Sequence, residues 1–212
     1  SNGVRVIVKP TTFKQDEILF QGVSKGGAAL VATEDVPSAM LASTIVDFSG
    51  LADMSLTDLQ KALTGKNVSH SVSINNNTEV VSGSSTVKDL ETLLQINYLS
   101  FTAPRRDEEA YQTLMSVLNS QLANRDKNPK VAFSDSIQMM ANDHSSRIVL
   151  QDLAWLEKVN LDKALEVYKA RFANPADFVF TFVGNVDPED EAFQKMVCTW
   201  LGGLNTSKKK EK

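Results

Sequence analysis

The sequence contains one cysteine, Cys198, and only two histidines, His70 and His144. A lone cysteine excludes an intrachain disulfide. Zinc sites draw three or four ligands from histidine, cysteine and carboxylate, usually at short spacing. Here the two histidines stand far apart, no histidine pair lies one helical turn apart, and there is no Cys-x-x-Cys. No apolar run reaches the roughly 18 residues of a membrane-spanning helix. An excess of positive charge is also missing. The 22 Lys and Arg are outnumbered by 26 Asp and Glu, for a net charge of −4. Such a chain offers no broad basic face to a phosphate backbone, so nucleic acid is not an expected partner. Lys208 to Lys210 form a local basic run, read as a solvated tail. The start, Ser1-Asn2-Gly3, has no signal-peptide pattern and reads as the edge of a fragment.

What is present is ordinary globular material. Hydrophobic residues make up 42% and charged residues 23% of 212 positions, enough for one substantial folded domain. Residues 1–205 are expected to form that domain, followed by a disordered basic tail at 206–212. The chain turns polar at Asn142 to Arg147, which reads as a loop within the domain.

Periodicity sets the elements. Gly3 to Pro10 and Glu17 to Ser24 alternate as strands, with Lys25-Gly26-Gly27 ending the second. Pro37 opens a helix that carries Met40, Leu41, Thr44, Ile45 and Phe48 and stops at Gly50. Ser55 caps a short helix ending at Gly65. Val68 to Ile74, the Asn75-Asn76-Asn77 turn and Thr78 to Ser82 form a hairpin. Further helices are expected after Thr86, from Asp107, over Val131 to Ala141, and from Leu150 to Phe172 with a restart at Asn160. Phe178 to Val183 is an aromatic-rich buried strand, and Asp187-Pro188 is read as the start of the last helix. Hairpin-linked strands with helices gathered between them give an α+β class, with a largely antiparallel sheet covered by helices.

The residues that could carry chemistry are few. His70 shares the parity of Val68 and Val72 and reads as a packed or edge histidine; His144 reads as an exposed loop residue. Cys198 lies beside Val197 on an amphipathic helix and is expected to be a small buried hydrophobe. Ser82-Gly83-Ser84-Ser85 is read as a turn without the nucleophile-elbow pattern. Gly184 before Asp187 could frame an anion site at a helix N-terminus, but the Asp187 charge opposes it. Asp152 and Glu157 have no recognisable partner chemistry. Arg105-Arg106 is the one compact basic pair and could meet a peptide carboxylate or another domain, although Asp107 and Glu108 stand next to it.

Several segments resemble the pitrilysin, insulin-degrading enzyme and mitochondrial processing peptidase group of zinc peptidases. They are GVRVIVKP at Gly3 to Pro10, LFQGVSKGG at Leu19 to Gly27, and DLETLLQINYLSFTAPRRDEEAY at Asp89 to Tyr111. YKARFANPADFVFTFVGNVDPED at Tyr168 to Asp190 and WLGGL at Trp200 to Leu204 complete the pattern. Active members carry His-x-x-Glu-His on the first helix, where two histidines hold zinc and the glutamate activates water. Anchored on Phe48-Ser49-Gly50, the matching positions here are Leu41, Thr44 and Ile45, none of which can replace its counterpart. The resemblance therefore implies a LuxS/MPP-like, non-catalytic third domain of a larger zinc peptidase. It implies no catalytic, metal or cofactor residue in this chain, and zinc in the parent protein. The implied partners are other domains of the same polypeptide and the peptide enclosed in a shared chamber. The alternative is a scaffold domain of a peptidase-like protein without activity. Relatives act in periplasm, cytosol and organelles, so the compartment stays open, an exported periplasmic parent among the choices.

Overall fold

The computed structural model describes residues 2–143, 145, 147 and 150–206. Five strands form one sheet: β1 (Arg5–Pro10), β2 (Ile18–Lys25), β3 (Val68–Ile74), β4 (Thr78–Ser85) and β5 (Val179–Gly184). Their order is β1-β5-β2-β4-β3. β5 pairs in parallel with β1, while the β5–β2, β2–β4 and β4–β3 pairs are antiparallel. The expected largely antiparallel α+β architecture is therefore present. Placing the last strand between the first two was not legible from periodicity.

Eight helices accompany the sheet: α1 (Val36–Ser49), α2 (Leu56–Ala62), α3 (Leu90–Thr102), α4 (Glu108–Leu122), α5 (Pro129–Ala141), α6 (Leu153–Leu156), α7 (Leu161–Arg171) and α8 (Glu191–Trp200). Local chemistry sets most of their ends. Ser55, Asp107, Asn128, Asp152, Asn160 and Asp190 each accept a backbone N–H as N-caps. The stretch from Leu150 splits into α6 and α7, because Asn160 restarts the chain with its side chain on the Lys163 N–H. Two expected boundaries need correction. The cap of α8 is Asp190 and not Asp187, whose carboxylate instead closes a local turn on the Glu189 N–H at 2.9 Å. Ser82 to Ser85 continue β4 and are not a turn.

The core lies on one face of the sheet. Phe20, Phe180 and Phe182 alternate inward from β2 and β5; Phe20 stacks on Phe180 at 5.8 Å and meets Phe182 at 5.1 Å with the rings tilted. Phe101, Phe172 and Phe178 extend the cluster toward α3 and α7. α1 is buried on most of its circumference through Ala39, Ala42, Ile45 and Val46, and the small residues let α7, β3 and α4 approach it closely.

The Gly26-Gly27 turn joins β2 to the hairpin. The Gly26, Ala28 and Ala29 N–H groups donate to the carbonyls of Asn77, Asn75 and Asn76. Gly27 has φ +62, and a Cβ there would lie 2.3 Å from the Asn75 carbonyl oxygen. Beneath this turn sits Glu79, completely buried, which accepts the Gly27 N–H at 2.7 Å and faces the Arg171 guanidinium at 3.4 Å. Sequence reasoning passed over this pair. Its signal is parity: Glu79 shares the inward face of β4 with Val81, where a carboxylate requires a partner.

Candidate functional site

Leu41, Thr44 and Ile45, the positions that the resemblance sets against the metal motif, lie on α1. Ile45 has no solvent contact and belongs to the hydrophobic core, while Leu41 and Thr44 are half-buried, Leu41 packing against that core. Leu41 and Ile45 offer only alkyl groups, and the Thr44 hydroxyl is neither a general base nor a strong zinc ligand. The donor set does not fit zinc. Among the described residues, no group of three or more His, Cys, Asp and Glu side chains is placed to hold a metal ion.

His70 stands on β3, an edge strand, with the ring turned toward α3. It is half-buried, as expected of a packed edge histidine, but its Nε2 is sealed from water and lacks a hydrogen-bond partner. Burial pulls its pKa down to about 4, opposed in part by the nearby Asn97 side chain. Asn97 is itself completely buried, and neither of its side-chain polar atoms makes a well-aligned hydrogen bond. Folding thus holds His70 neutral. A free histidine has its pKa near 6.5, so the unfolded chain takes up a proton first. The stability tied to this group is complete above about pH 6.5 and is lost as pH falls toward about 4. Urea unfolding midpoints should drop over that window, and His70→Gln should flatten the dependence. His144 lies outside the described residues.

The other candidates resolve into structural roles or exposed positions. Arg105 pairs with Asp107 at 3.1 Å, and Arg106 pairs with Asp162 at 2.8 Å and Glu108 at 3.0 Å. The second pair ties the start of α4 to that of α7. Asp152 caps α6, and Glu157 is exposed just past its end. Ser69–Ser84 and Ser71–Ser82 are cross-strand hydroxyl pairs at 2.8 and 2.9 Å, with no base beside them in hydrogen-bond contact. Gly184 is needed because a Cβ would lie 2.1 Å from the Glu17 carbonyl oxygen, and the Asn185 and Val186 N–H groups that follow it donate to the Glu17 and Gly184 carbonyls. Cys198 corrects the sequence reading: it is exposed and not buried. The inward face of α8 is set by Phe193 and Val197, and the next residue turns about 100° toward solvent.

One cleft of about 320 Å³ opens beside the N-terminal half of α1, lined by Val36, Met40, Asn76, Trp155, Arg125 and Arg147 among others. Both arginines are held in place. Arg147 donates to the Ala28 and Val31 carbonyls at 2.6 and 2.8 Å and to the Thr33 hydroxyl at 3.0 Å. Arg125 forms a two-point pair with Asp135. The cleft is mainly polar: the amides of Asn76, Gln138 and Gln151 and the two arginines stand beside Val36, Met40 and Trp155, a lining that offers hydrogen-bond contacts and, among the described residues, no carboxylate or histidine for acid–base chemistry.

No protein-family model matches the chain. It is 27% identical over 205 residues to a PQQL-like zinc protease of Arabidopsis thaliana, an alignment of 96% of this chain and 19% of that protein. Against the probable zinc protease PqqL of Escherichia coli it is 22% identical over 209 residues, 98% of this chain and 22% of that protein. Its homologues are PqqL-like zinc proteases. The crystal structure of E. coli PqqL superposes with a TM-score of 0.80 at 22% identity, covering 99% of this chain and 23% of that one. A peptidase M16 inactive domain from Pseudomonas fluorescens superposes with a TM-score of 0.74 at 13% identity, covering all of this chain and 51% of that one. The fold is thus that of M16, or pitrilysin-type, peptidase domains. The chain spans about a fifth of the length of its curated relatives.

Proposed function

We propose that this domain is a metal-free wall of a larger zinc peptidase, which encloses peptide and supports cleavage by a zinc-bearing N-terminal half elsewhere in the same polypeptide. One observation carries the reading: α1, the helix that the resemblance sets against the metal motif, presents Leu41, Thr44 and Ile45, with Ile45 buried in the core. Homology to zinc proteases supports a proteolytic parent, and the small share of those proteins covered by this chain supports a part of a longer machine. The same fold also superposes on the first half of E. coli PqqL, with a TM-score of 0.77 at 14% identity, which supports repetition of this fold in such proteins; the place of this chain as the third domain is part of the proposal. Zinc would reside outside this chain, and no reaction step is assigned to its residues.

Complementation tests the proposal. The full-length polypeptide should cleave unstructured peptides in a chelator-sensitive way. The polypeptide lacking this domain should keep its zinc but lose most cleavage, and adding the separate 212-residue chain should restore part of it. Undiminished cleavage without the domain would rule out the supporting role.

A further inference from the structure

Most guanidinium groups of the chain are neutralised. Arg105, Arg106, Arg125 and Arg171 each face a carboxylate. Arg5 has no such partner among the described residues, but it is exposed on β1 and no bond fixes it. Arg147 differs from all of these. It is half-buried and fixed, yet it pairs with no carboxylate among the described residues. Its partners are the Ala28 and Val31 carbonyls and the Thr33 hydroxyl, all of them neutral. They occupy three of the five N–H donors of an arginine, so two remain. A cation that is held in place and partly desolvated without a counter-charge is costly, and such groups are ordinarily paired.

Arg147 stands where two clefts meet. The cleft of about 320 Å³ beside α1 shares Val36, Asn76 and Arg147 with a second of about 290 Å³, which reaches Asn77 and Ser145. Among the described residues, no Asp or Glu lines either one. The carboxylates of the neighbouring elements are engaged elsewhere or point away from the lining. Asp135 is on Arg125, Asp35 faces Lys163 at 3.6 Å, Asp152 accepts the Trp155 backbone N–H, and Glu79 holds Gly27 and Arg171. Glu34 and Asp143 are exposed and form no ion pair among the described residues.

The charge left in the cleft is that of one cation. Arg125 lines it with its charge already met by Asp135, so the two guanidiniums together leave a single positive charge. That suits a carboxylate better than a phosphate, which carries close to two negative charges. The rest of the lining is rich in idle donors. The side-chain amides of Asn76, Gln138 and Gln151 make no hydrogen bond among the described residues. Neither does the indole N–H of Trp155, although that side chain is only 4% exposed and such groups usually find an acceptor. Val36, Met40 and Trp155 add an apolar wall. The volume is at the low end for ligand pockets, enough for one end of a peptide and not for a folded partner. A carboxylate, an amide and an apolar side chain occur side by side at the C-terminus of a peptide. An Asp or Glu side chain brings its carboxylate without the apolar neighbour, on a chain that continues in both directions.

We infer that this cleft holds the C-terminal residue of a peptide, with Arg147 on its carboxylate and its side chain against Val36, Met40 and Trp155. The inference rests on the reading of the domain as a peptide-enclosing wall and gives that wall an anchor for one end of the peptide.

Fluorescence anisotropy of the 212-residue chain with an unstructured peptide, labelled at its N-terminus and ending in leucine, tests it. The free acid should bind at least about tenfold more tightly than the same peptide as its C-terminal amide, the worth of one charge-assisted hydrogen bond. Arg147→Gln should abolish that preference. Arg147 also fastens the segment around Ala28 and Val31, so a second variant leaves it in place. Gln151→Glu, at an exposed side chain, sets a carboxylate in the cleft and should weaken binding of the free acid several-fold without changing the melting temperature. Equal binding of acid and amide, or binding of neither, overturns the inference. So does a folded Arg147→Gln chain that keeps the preference, or a Gln151→Glu chain with unchanged affinity. An amidated peptide with an internal glutamate that competes as well as the free acid would assign the cleft to side-chain carboxylates, and inorganic phosphate that displaces the peptide at equal concentration would assign it to phosphate; either result overturns the C-terminal anchor. The complementation assay keeps this failure apart from that of the wider reading. Cleavage that depends on the domain without any acid–amide preference removes only the anchor, and a clear preference with cleavage that does not need the domain removes only the supporting role.

Discussion

Glu79→Ala should destabilise the domain by about 3–5 kcal/mol, the usual cost of removing one member of a buried ion pair. Glu79 has no solvent contact, and its Oε1 accepts the Gly27 N–H while facing Arg171, whose side chain is mostly enclosed. Removing the carboxylate takes away the charge that faces the Arg171 guanidinium and the acceptor of the Gly27 N–H, which loosens the turn that holds β2 to the β3–β4 hairpin. Arg171→Ala should cost a similar amount, because the Glu79 Oε2 already lacks a hydrogen bond and the buried carboxylate would keep only the Gly27 N–H. The double variant Glu79→Ala/Arg171→Ala should lose clearly less than the sum of the two single losses, since the interaction between the two side chains is then lost only once. Urea unfolding of the four proteins measures the coupling. Additive losses would show that the pair contributes nothing as a pair.

Writing the family's motif back into α1 should fail, and Ile45→His is the step that fails hardest. Ile45 is completely buried in the core formed with α7, α4 and β3. An imidazole there loses apolar packing and leaves polar nitrogens without partners, a combined cost of about 2–5 kcal/mol. Leu41→His and Thr44→Glu are milder, because both positions are half-buried. The triple variant should be strongly destabilised and should show no chelator-sensitive peptide cleavage. Thermal unfolding followed by far-UV circular dichroism, with and without zinc, gives the readout. A triple variant that folds normally and gains stability from stoichiometric zinc would mean that α1 retains a working metal geometry.

The sequence was most legible where a local signal had one physical meaning. Val68 to Ile74 alternates, ends in three asparagines and forms β3 with the expected bounds. The carboxylates Asp107, Glu108 and Glu109 mark the start of α4 as expected, with Asp107 as its N-cap and the two glutamates in the first turn. Legibility failed where tertiary contacts decide. The placement of β5 between β1 and β2 depends on pairing over more than a hundred residues, which periodicity does not encode. Asp187 and Asp190 are equally good caps by type, and only the path of the chain after Gly184 selects Asp190. Cys198 was misplaced because one residue of helical phase separates it from half-buried Val197. At the candidate site, the loss of coordinating groups at Leu41, Thr44 and Ile45 was readable from residue types alone. The packing of Ile45 and the buried Glu79–Arg171 pair required the structure.

Zinc titration of the 212-residue chain by calorimetry, with metal content checked by mass spectrometry, tests the central claim most directly. The account predicts no stoichiometric site, and no rise in melting temperature with added zinc. One tightly held zinc per chain, weakened by substitution at or beside Leu41 and Ile45, would contradict it.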